Sequence, residues 1–313
     1  MENNEKFSLN SLLQSSDLLE SDIYAIFDRA KFFLDNYKKE KKFKDLEGIT
    51  VALAFFEPST RTKLSFELAA KRLSADTFSF QSASSSLSKG ESLIDTLRTI
   101  EAMGVNIYIV RHQCSGVPIF LQQNTSGIVI NAGDGKHDHP TQALLDSFTL
   151  YQYFGKLNGM KVCITGDILH SRVARANFSV LQKLGVEVAI CGPGTLIPSK
   201  KQTDFKIIDK IEDAIEWADA IILLRLQRER MESGFLPTLR EYSQYMGLTY
   251  SLFSKKPGLI VLHPGPVNYG IELDYNVSAY PNVLIQTQVK HGLFIRMGLL
   301  SLLTKNYRER IGC

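Results

Sequence analysis

Four cysteines in 313 residues, a single tryptophan and no CxxC pair leave no basis for a disulfide framework or a structural zinc site. Cys114, Cys163, Cys191 and Cys313 are scattered and read as buried or incidental thiols of a reducing compartment. No apolar run approaches the ~18 residues of a membrane helix. The polar, acidic opening MENNEKFSLNSLLQSSDLLE has the pattern of neither a signal nor a transit peptide. Nor does one charge dominate: 36 Lys+Arg against 33 Asp+Glu gives +3, too small an excess to imply nucleic acid. The densest basic run, Lys38 to Lys44, is broken by Glu40 and Phe43 and reads as a solvated helix end. Glycine (21) and proline (10) are too few for collagen or bulk disorder, and no long period repeats. A soluble, cytoplasmic globular protein that binds neither nucleic acid nor membrane is expected.

Hydrophobic residues make up 44% of the chain, and a chain of this length hides roughly three-quarters of its unfolded surface. Length alone suggests two domains of about 150 residues. Residues 17–42 place Ile23, Ile26, Phe27, Ala30 and Phe33 on one helical stripe. Apolar runs at 49–56, 105–110, 127–131, 161–166, 186–191, 219–225 and 258–263 read as strands, several continuous enough to be covered on both faces. Helical patterns lie between them: through Leu64, Leu68 and Ala69, through Leu93, Ile94, Leu97 and Ile100, and over 140–154, 171–184 and 211–217. Val289, Leu293, Met297 and Leu300 give a closing helix one apolar face. Strands alternating with helices predict parallel sheets, and two such series predict two α/β domains with a boundary near the 140–154 helix.

Chemistry-bearing residues gather where strands end. In FFEPSTRTKLSFE (55–67) a buried strand stops at Pro58, and Ser59, Thr60, Arg61 and Thr62 open a helix. Free N–H groups, the helix dipole, three hydroxyls and a guanidinium converge there, which can hold a phosphate without a glycine loop. A plain N-cap is the alternative. SSSLSKGES (84–92) is either a polar loop before an ordinary N-cap or a loop that delivers Lys89 to an anion. VRHQ (110–113) puts Arg111 and His112 at the C-terminal end of a strand, the edge where open α/β sheets bind ligands. In NAGDGKHDHPTQALLD (131–146) a tight turn leads to His139, Pro140 and Gln142, with Pro140 suited to a first helical position. His137, Asp138 and His139 diverge as neighbours at a helix start, so a positioned imidazole donor is a better reading than a metal site.

TGDILHSRVARAN (165–177) lacks the second and third glycines of a dinucleotide fingerprint and offers Arg172 and Arg175 on the first turns of a helix. In LLRLQRER (223–230), Arg225 and Gln227 leave a strand on the same side. LHPGPVNYG (262–270) is a rigid loop whose carbonyls can accept hydrogen bonds from an amine or amide, or else a structural turn.

In order and spacing, FFEPSTRT, SKGES, the Arg-His pair, NAGDG with HPTQALLD, GDxxHSRVARAN, RxQxER and HPGPVN resemble the catalytic chains of the aspartate carbamoyltransferase family, over nearly the whole sequence. The resemblance implies two helix-flanked parallel sheets. Residues 1–140 would bind carbamoyl phosphate, completed by a C-terminal helix (288–313) that returns to them, and residues 141–287 would bind aspartate. It implies transfer of the carbamoyl group of carbamoyl phosphate to the α-amine of L-aspartate, giving N-carbamoyl-L-aspartate and phosphate, in de novo pyrimidine biosynthesis, without metal or cofactor. Ser59, Thr60, Arg61, Thr62 and Arg111 would hold the phosphate. Thr62, Arg111 and His139 would polarise the carbonyl, while Gln142 and the backbone of Pro264 and Gly265 held the carbamoyl NH₂. Lys89 and Ser85, or else Ser86, would reach in from a neighbouring subunit of a homotrimer. Arg172, Arg225 and Gln227, with Lys89, would bind aspartate. A regulatory chain or a dihydroorotase partner is compatible with this reading.

Two positions depart from the family pattern: Tyr269 stands where arginine is frequent, and His291 where asparagine is. An ornithine or acyl-ornithine carbamoyltransferase is the nearest rival, but those chains carry an HCLP loop where this one has HPGP. A non-catalytic nucleotide-binding α/β module and a catalytically dead assembly subunit are the remaining alternatives.

Overall fold

A computed structural model describes residues 7–40, 42–81, 92–199, 201, 203–226 and 238–312. Helix α1 (Glu20–Asn36) buries Ile23, Ile26, Phe27, Ala30 and Phe33 completely, the stripe that the periodicity predicts. It stops short of residue 42. Lys38 and Lys39 sit in the turn beyond it, while Phe43 is buried. Strand β1 (Thr50–Phe55) leads into α2 (Thr60–Arg72), and β2 (Asp76–Gln81) follows. After α3 (Leu93–Ala102) come β3 (Ile107–His112), α4 (Val117–Gln122), β4 (Ile128–Asp134) and α5 (Pro140–Phe154).

These strands form a four-stranded parallel sheet in the order β2-β1-β3-β4. One face packs Ala52, Ala54, Tyr108, Val110 and Val129 against Leu97, Ile100 and Leu121. The β4 edge is partly covered: Leu12 N donates to Val129 O at 3.0 Å and Leu12 O accepts from Asn131 N at 2.8 Å.

The second series begins with β5 (Lys161–Thr165), α6 (Arg172–Lys183), β6 (Glu187–Cys191), β7 (Lys206–Ile208), α7 (Ile211–Trp217) and β8 (Ala220–Leu223). It continues with α8 (Leu239–Met246), α9 (Tyr250–Phe253) and β9 (Ile260–Leu262). Its five parallel strands run β7-β6-β5-β8-β9, and the long α10 (Ile285–Ile311) ends the chain. Two compact units result, one of Met1–Phe148 with Val289–Cys313 and one of Thr149–Gln288.

Three expectations need correction. NAGDG is not a tight turn throughout: β4 runs on through Asp134, and the turn begins only at Gly135. Helix α10 is not a one-faced helix. Its middle, from Phe294 to Leu300, is buried almost all round, whereas Val289 is 48% exposed. Gly298 permits that packing, because a Cβ there would sit 2.9 Å from Ile26 O and 3.0 Å from Ala30 N of α1. Of the α2 residues read as a helical pattern, Leu64 and Leu68 are exposed, while Thr62, Phe66, Ala69 and Ala70 form the buried face.

Candidate active site

In the first unit the predicted residues lie at the C-terminal ends of three neighbouring strands, β1, β3 and β4. Ser59 is the N-cap of α2, in extended backbone, yet its hydroxyl makes no capping hydrogen bond. Ser92, Ser171, Thr238 and Thr249, by contrast, each accept from the N–H three residues on. The plain-cap alternative therefore does not describe Ser59. Its hydroxyl and the first-turn N–H groups of α2 stay available as donors at the positive end of the helix dipole. Thr62 is buried there, and Thr60 and Arg61 are exposed.

Arg111 lies opposite Phe55 in the sheet, and its carbonyl accepts from Phe56 N at 2.8 Å. Its guanidinium reaches Glu57 Oε1 at 2.6 Å and Ala132 O at 3.3 Å, with both side chains of the ion pair 13% exposed. Glu57 is an acid that the motif reading did not single out. His112 has a structural part: its Nδ1 accepts from Cys114 N at 2.9 Å, its ring packs on Phe56, and burial pushes its pKa down.

The acids near His139 are committed within the protein. Asp134 accepts from Gly116 N at 2.6 Å and Asn131 Nδ2 at 2.9 Å, and faces His137 Nδ1 at 3.0 Å. Asp138 accepts from Ser15 N (2.6 Å), Ser15 Oγ (2.8 Å) and His139 N (2.7 Å). Burial pushes the Asp138 carboxyl pKa up against those hydrogen bonds. Among the described residues no group of three His, Cys, Asp or Glu side chains could hold a metal ion. The His139 carbonyl accepts from Gln142 N at 2.9 Å, which opens α5 and puts the imidazole, 4% exposed, at its start. Gln142, also buried, donates Nε2–H to Asp146 Oδ1 at 2.9 Å.

The second unit repeats this arrangement at the C-terminal ends of β5, β8 and β9, again neighbours. Gly166 follows β5 with φ +122°, and a Cβ there would meet Tyr242 Oη at 2.9 Å, so the glycine answers a packing need. Asp167 Oδ1 binds His170 Nδ1 at 2.8 Å and His170 N at 3.2 Å, closing the turn before Ser171 caps α6. Arg172, the first residue of α6, is 4% exposed. Arg175 is exposed and donates to Leu169 O at 3.3 Å.

Arg225 is half-buried just past β8. Glu272, 1% exposed, accepts from Leu226 N (2.8 Å), Asn268 N (2.8 Å) and Asn268 Nδ2 (2.7 Å). It thereby ties the segment after Arg225 to the loop that carries Pro264 and Gly265. Burial raises its pKa and those hydrogen bonds oppose the rise. The sequence signal for this residue was an acid set between apolar Ile271 and Leu273. Gly265 N donates to His263 Nδ1 at 2.8 Å, and His263 N to Gln288 Oε1 at 2.9 Å.

Lys89, Ser85, Ser86 and Gln227 lie outside the described residues. Tyr269 is exposed, its ring edge-on to Tyr275 at 5.5 Å, and brings no charge to the loop. His291 is a core residue, edge-on to Phe148 at 5.1 Å, and burial pushes its pKa down to about 4.

The family model of the aspartate/ornithine carbamoyltransferase carbamoyl-P binding domain matches residues 10–152, and that of the Asp/Orn binding domain matches 158–303. The chain belongs to the aspartate/ornithine carbamoyltransferase family. Within it, the chain is similar to aspartate carbamoyltransferase catalytic subunits. That of Carboxydothermus hydrogenoformans is 51% identical over 296 residues, covering 93% of this chain and 95% of the relative. Among solved structures, the aspartate transcarbamoylase of Trypanosoma cruzi in complex with N-(phosphonacetyl)-L-aspartic acid aligns with a TM-score of 0.85 at 25% identity, over 95% of each chain. The ornithine carbamoyltransferase of Pyrococcus furiosus aligns with a TM-score of 0.84 at 26% identity, over 95% of this chain and 98% of its own. Shape is thus shared by both acceptor classes, whereas the high sequence identity lies on the aspartate side.

Proposed function

We propose that the chain catalyses carbamoyl transfer from carbamoyl phosphate to the α-amine of L-aspartate, giving N-carbamoyl-L-aspartate and phosphate. The observation that carries this reading is the gathering, at the ends of β1, β3 and β4, of the uncommitted Ser59 cap, the first turn of α2, Arg111 and His139. That is a set of donors and cations for a phosphate and the carbonyl beside it. Ser59, Thr60, Arg61, Thr62 and Arg111 take the phosphate. The aspartate amine attacks the carbamoyl carbon, and negative charge grows on the carbonyl oxygen and then on the departing phosphate. Thr62, Arg111 and His139 donate to that oxygen, which is where fixed dipoles act most strongly. The amine proton leaves with the phosphate, so no side-chain nucleophile is required.

Gln142 accepts from the carbamoyl NH₂, and the carbonyls of Pro264 and Gly265 are assigned as further acceptors for that group. Arg172 and Arg225, with Gln227, take the two aspartate carboxylates as charge-assisted pairs. Relatives from Trypanosoma cruzi solved with carbamoyl phosphate and aspartate support this assignment.

The working form we assign is a cytoplasmic homotrimer in which Lys89 and Ser85 serve a neighbouring subunit's site. Exposed apolar residues of the first unit support it: Leu64 (58%) and Leu68 (45%), one turn apart on α2, and Phe78 (36%) on the edge strand β2. The designation "catalytic subunit" carried by the relatives supports a further partner chain. The test is a product assay with both acceptors in parallel. N-carbamoyl-L-aspartate should form, and faster carbamoylation of ornithine than of aspartate would refute the reading.

A further inference from the structure

On α5, Gln142 and Asp146 are one helical turn apart, 7% and 0% exposed, with Gln142 Nε2 donating to Asp146 Oδ1 at 2.9 Å. An ionised carboxylate is acceptor-only, so it dictates which end of the amide faces it: the NH₂ turns inward and the carbonyl oxygen is left on the opposite edge. The flipped amide would set two acceptors face to face in a buried place. Arg296 of α10 is a buried cation whose charge Asp146 favours. It is 4% exposed, its guanidinium lies 4.9 Å over the Phe66 ring, and burial lowers its pKa to about 10 while Asp146 opposes that fall. Gly292 keeps room for it, since a Cβ there would fall 2.8 Å from Arg296 Nη1.

We infer that Asp146, backed by Arg296, is a positioning residue that locks the Gln142 amide with its oxygen outward, so that the site selects an acyl phosphate bearing an N–H donor. The inference rests on the assignment of Gln142 to the carbamoyl NH₂. It accounts for two buried ionisable side chains, Asp146 and Arg296, that the reaction itself does not consume. A pocket that merely had the right size would accept a methyl group in place of the NH₂. An acceptor held in one orientation does not, because the methyl leaves it buried and unpaired.

The test compares carbamoyl phosphate with acetyl phosphate, which has a methyl group in place of the NH₂, by KM for the first and inhibition constant for the second. Asparagine at 146 can donate as well as accept, so Asp146→Asn frees the Gln142 amide to flip. The preference for carbamoyl over acetyl phosphate should then fall about tenfold, the worth of one good hydrogen bond, while acetyl phosphate affinity stays put. Asp146→Asn removes an anion that favours the buried Arg296 charge, so Asp146→Asn/Arg296→Met, which removes both charges, is measured alongside and should show the same selective loss. A Gln142→Leu control separates the two claims. If Gln142→Leu keeps the preference, the Gln142 assignment falls and this inference falls with it. If Gln142→Leu abolishes the preference but neither Asp146 variant lowers it, or if the variants weaken both ligands equally, the positioning role alone is overturned.

Discussion

Glu57 and Arg111 make a charge pair that, under the proposed function, a phosphate enters, and replacing the acid tests whether Arg111 is an anion site. The pair is 2.6 Å apart with each side chain 13% exposed. Two unit charges at ~4 Å interact by about 4 kcal/mol at an effective dielectric of ~20. Glutamine at 57 keeps a neutral hydrogen bond of about 1 kcal/mol, and the residual exposure lets water relieve part of the rest. The ligand-free Glu57→Gln protein should therefore lose about 2 kcal/mol of stability, lowering Tm by roughly 4–8 °C for a unit of this size.

The guanidinium, no longer neutralised, should then bind inorganic phosphate about tenfold more tightly, which is about 1.4 kcal/mol. Saturating phosphate would recover most of the lost stability, because a ligand stabilises the folded state in proportion to its affinity. Thermal unfolding with and without phosphate, together with phosphate inhibition of turnover, reads both halves. A variant whose Tm drops while its phosphate affinity stays flat or weakens would refute the reasoning, since Arg111 would then be a structural cation only.

His139→Ala should lower kcat about 10²–10³-fold, the effect of one lost electrostatic donor, in steady-state assays; a drop to the uncatalysed rate would give the imidazole a larger part. Arg225→Ala should raise the KM for aspartate far more than that for carbamoyl phosphate, whereas changes within about twofold in both constants would mark a surface charge. Pure Arg61→Ala and Lys89→Ala proteins should each be nearly inactive, and refolding them together should regenerate some active sites. Mixtures as inactive as their parents, with refolded wild type active, would end the shared-site proposal.

What could be read beforehand follows physical lines. Interior strands such as β1 and β5, covered on both faces, show as unbroken apolar runs, and α5 begins at Pro140 as its first-turn proline suggests. The edge strands β2 and β7 carry no such run. β2 alternates polar and apolar residues as DTFSFQ, and β7 is three residues long. The candidate ligand-binding residues were legible because they cluster in short motifs at strand ends. Their supports were not: Glu272 meets Leu226 from far along the chain, Ser15 meets Asp138, and Arg296 feels the charge of Asp146. No local pattern announces a partner 46 or more residues away.

The second unit is one uninterrupted stretch, Thr149–Gln288, set into a first unit that needs Val289–Cys313 to be whole. On a ribosome this imposes an order. Unit 2 has all of its sequence while unit 1 still lacks α10, and with it Phe294, Ile295, Met297, Leu299, Leu300 and Leu303, all buried in the finished protein. The nascent first unit therefore waits with an unfilled apolar seam, the kind of surface that draws chaperones and aggregation. Asn306 then binds the carbonyls of Phe7 and Leu9, each at 2.9 Å, so a helix made after the second unit clasps a segment made before it.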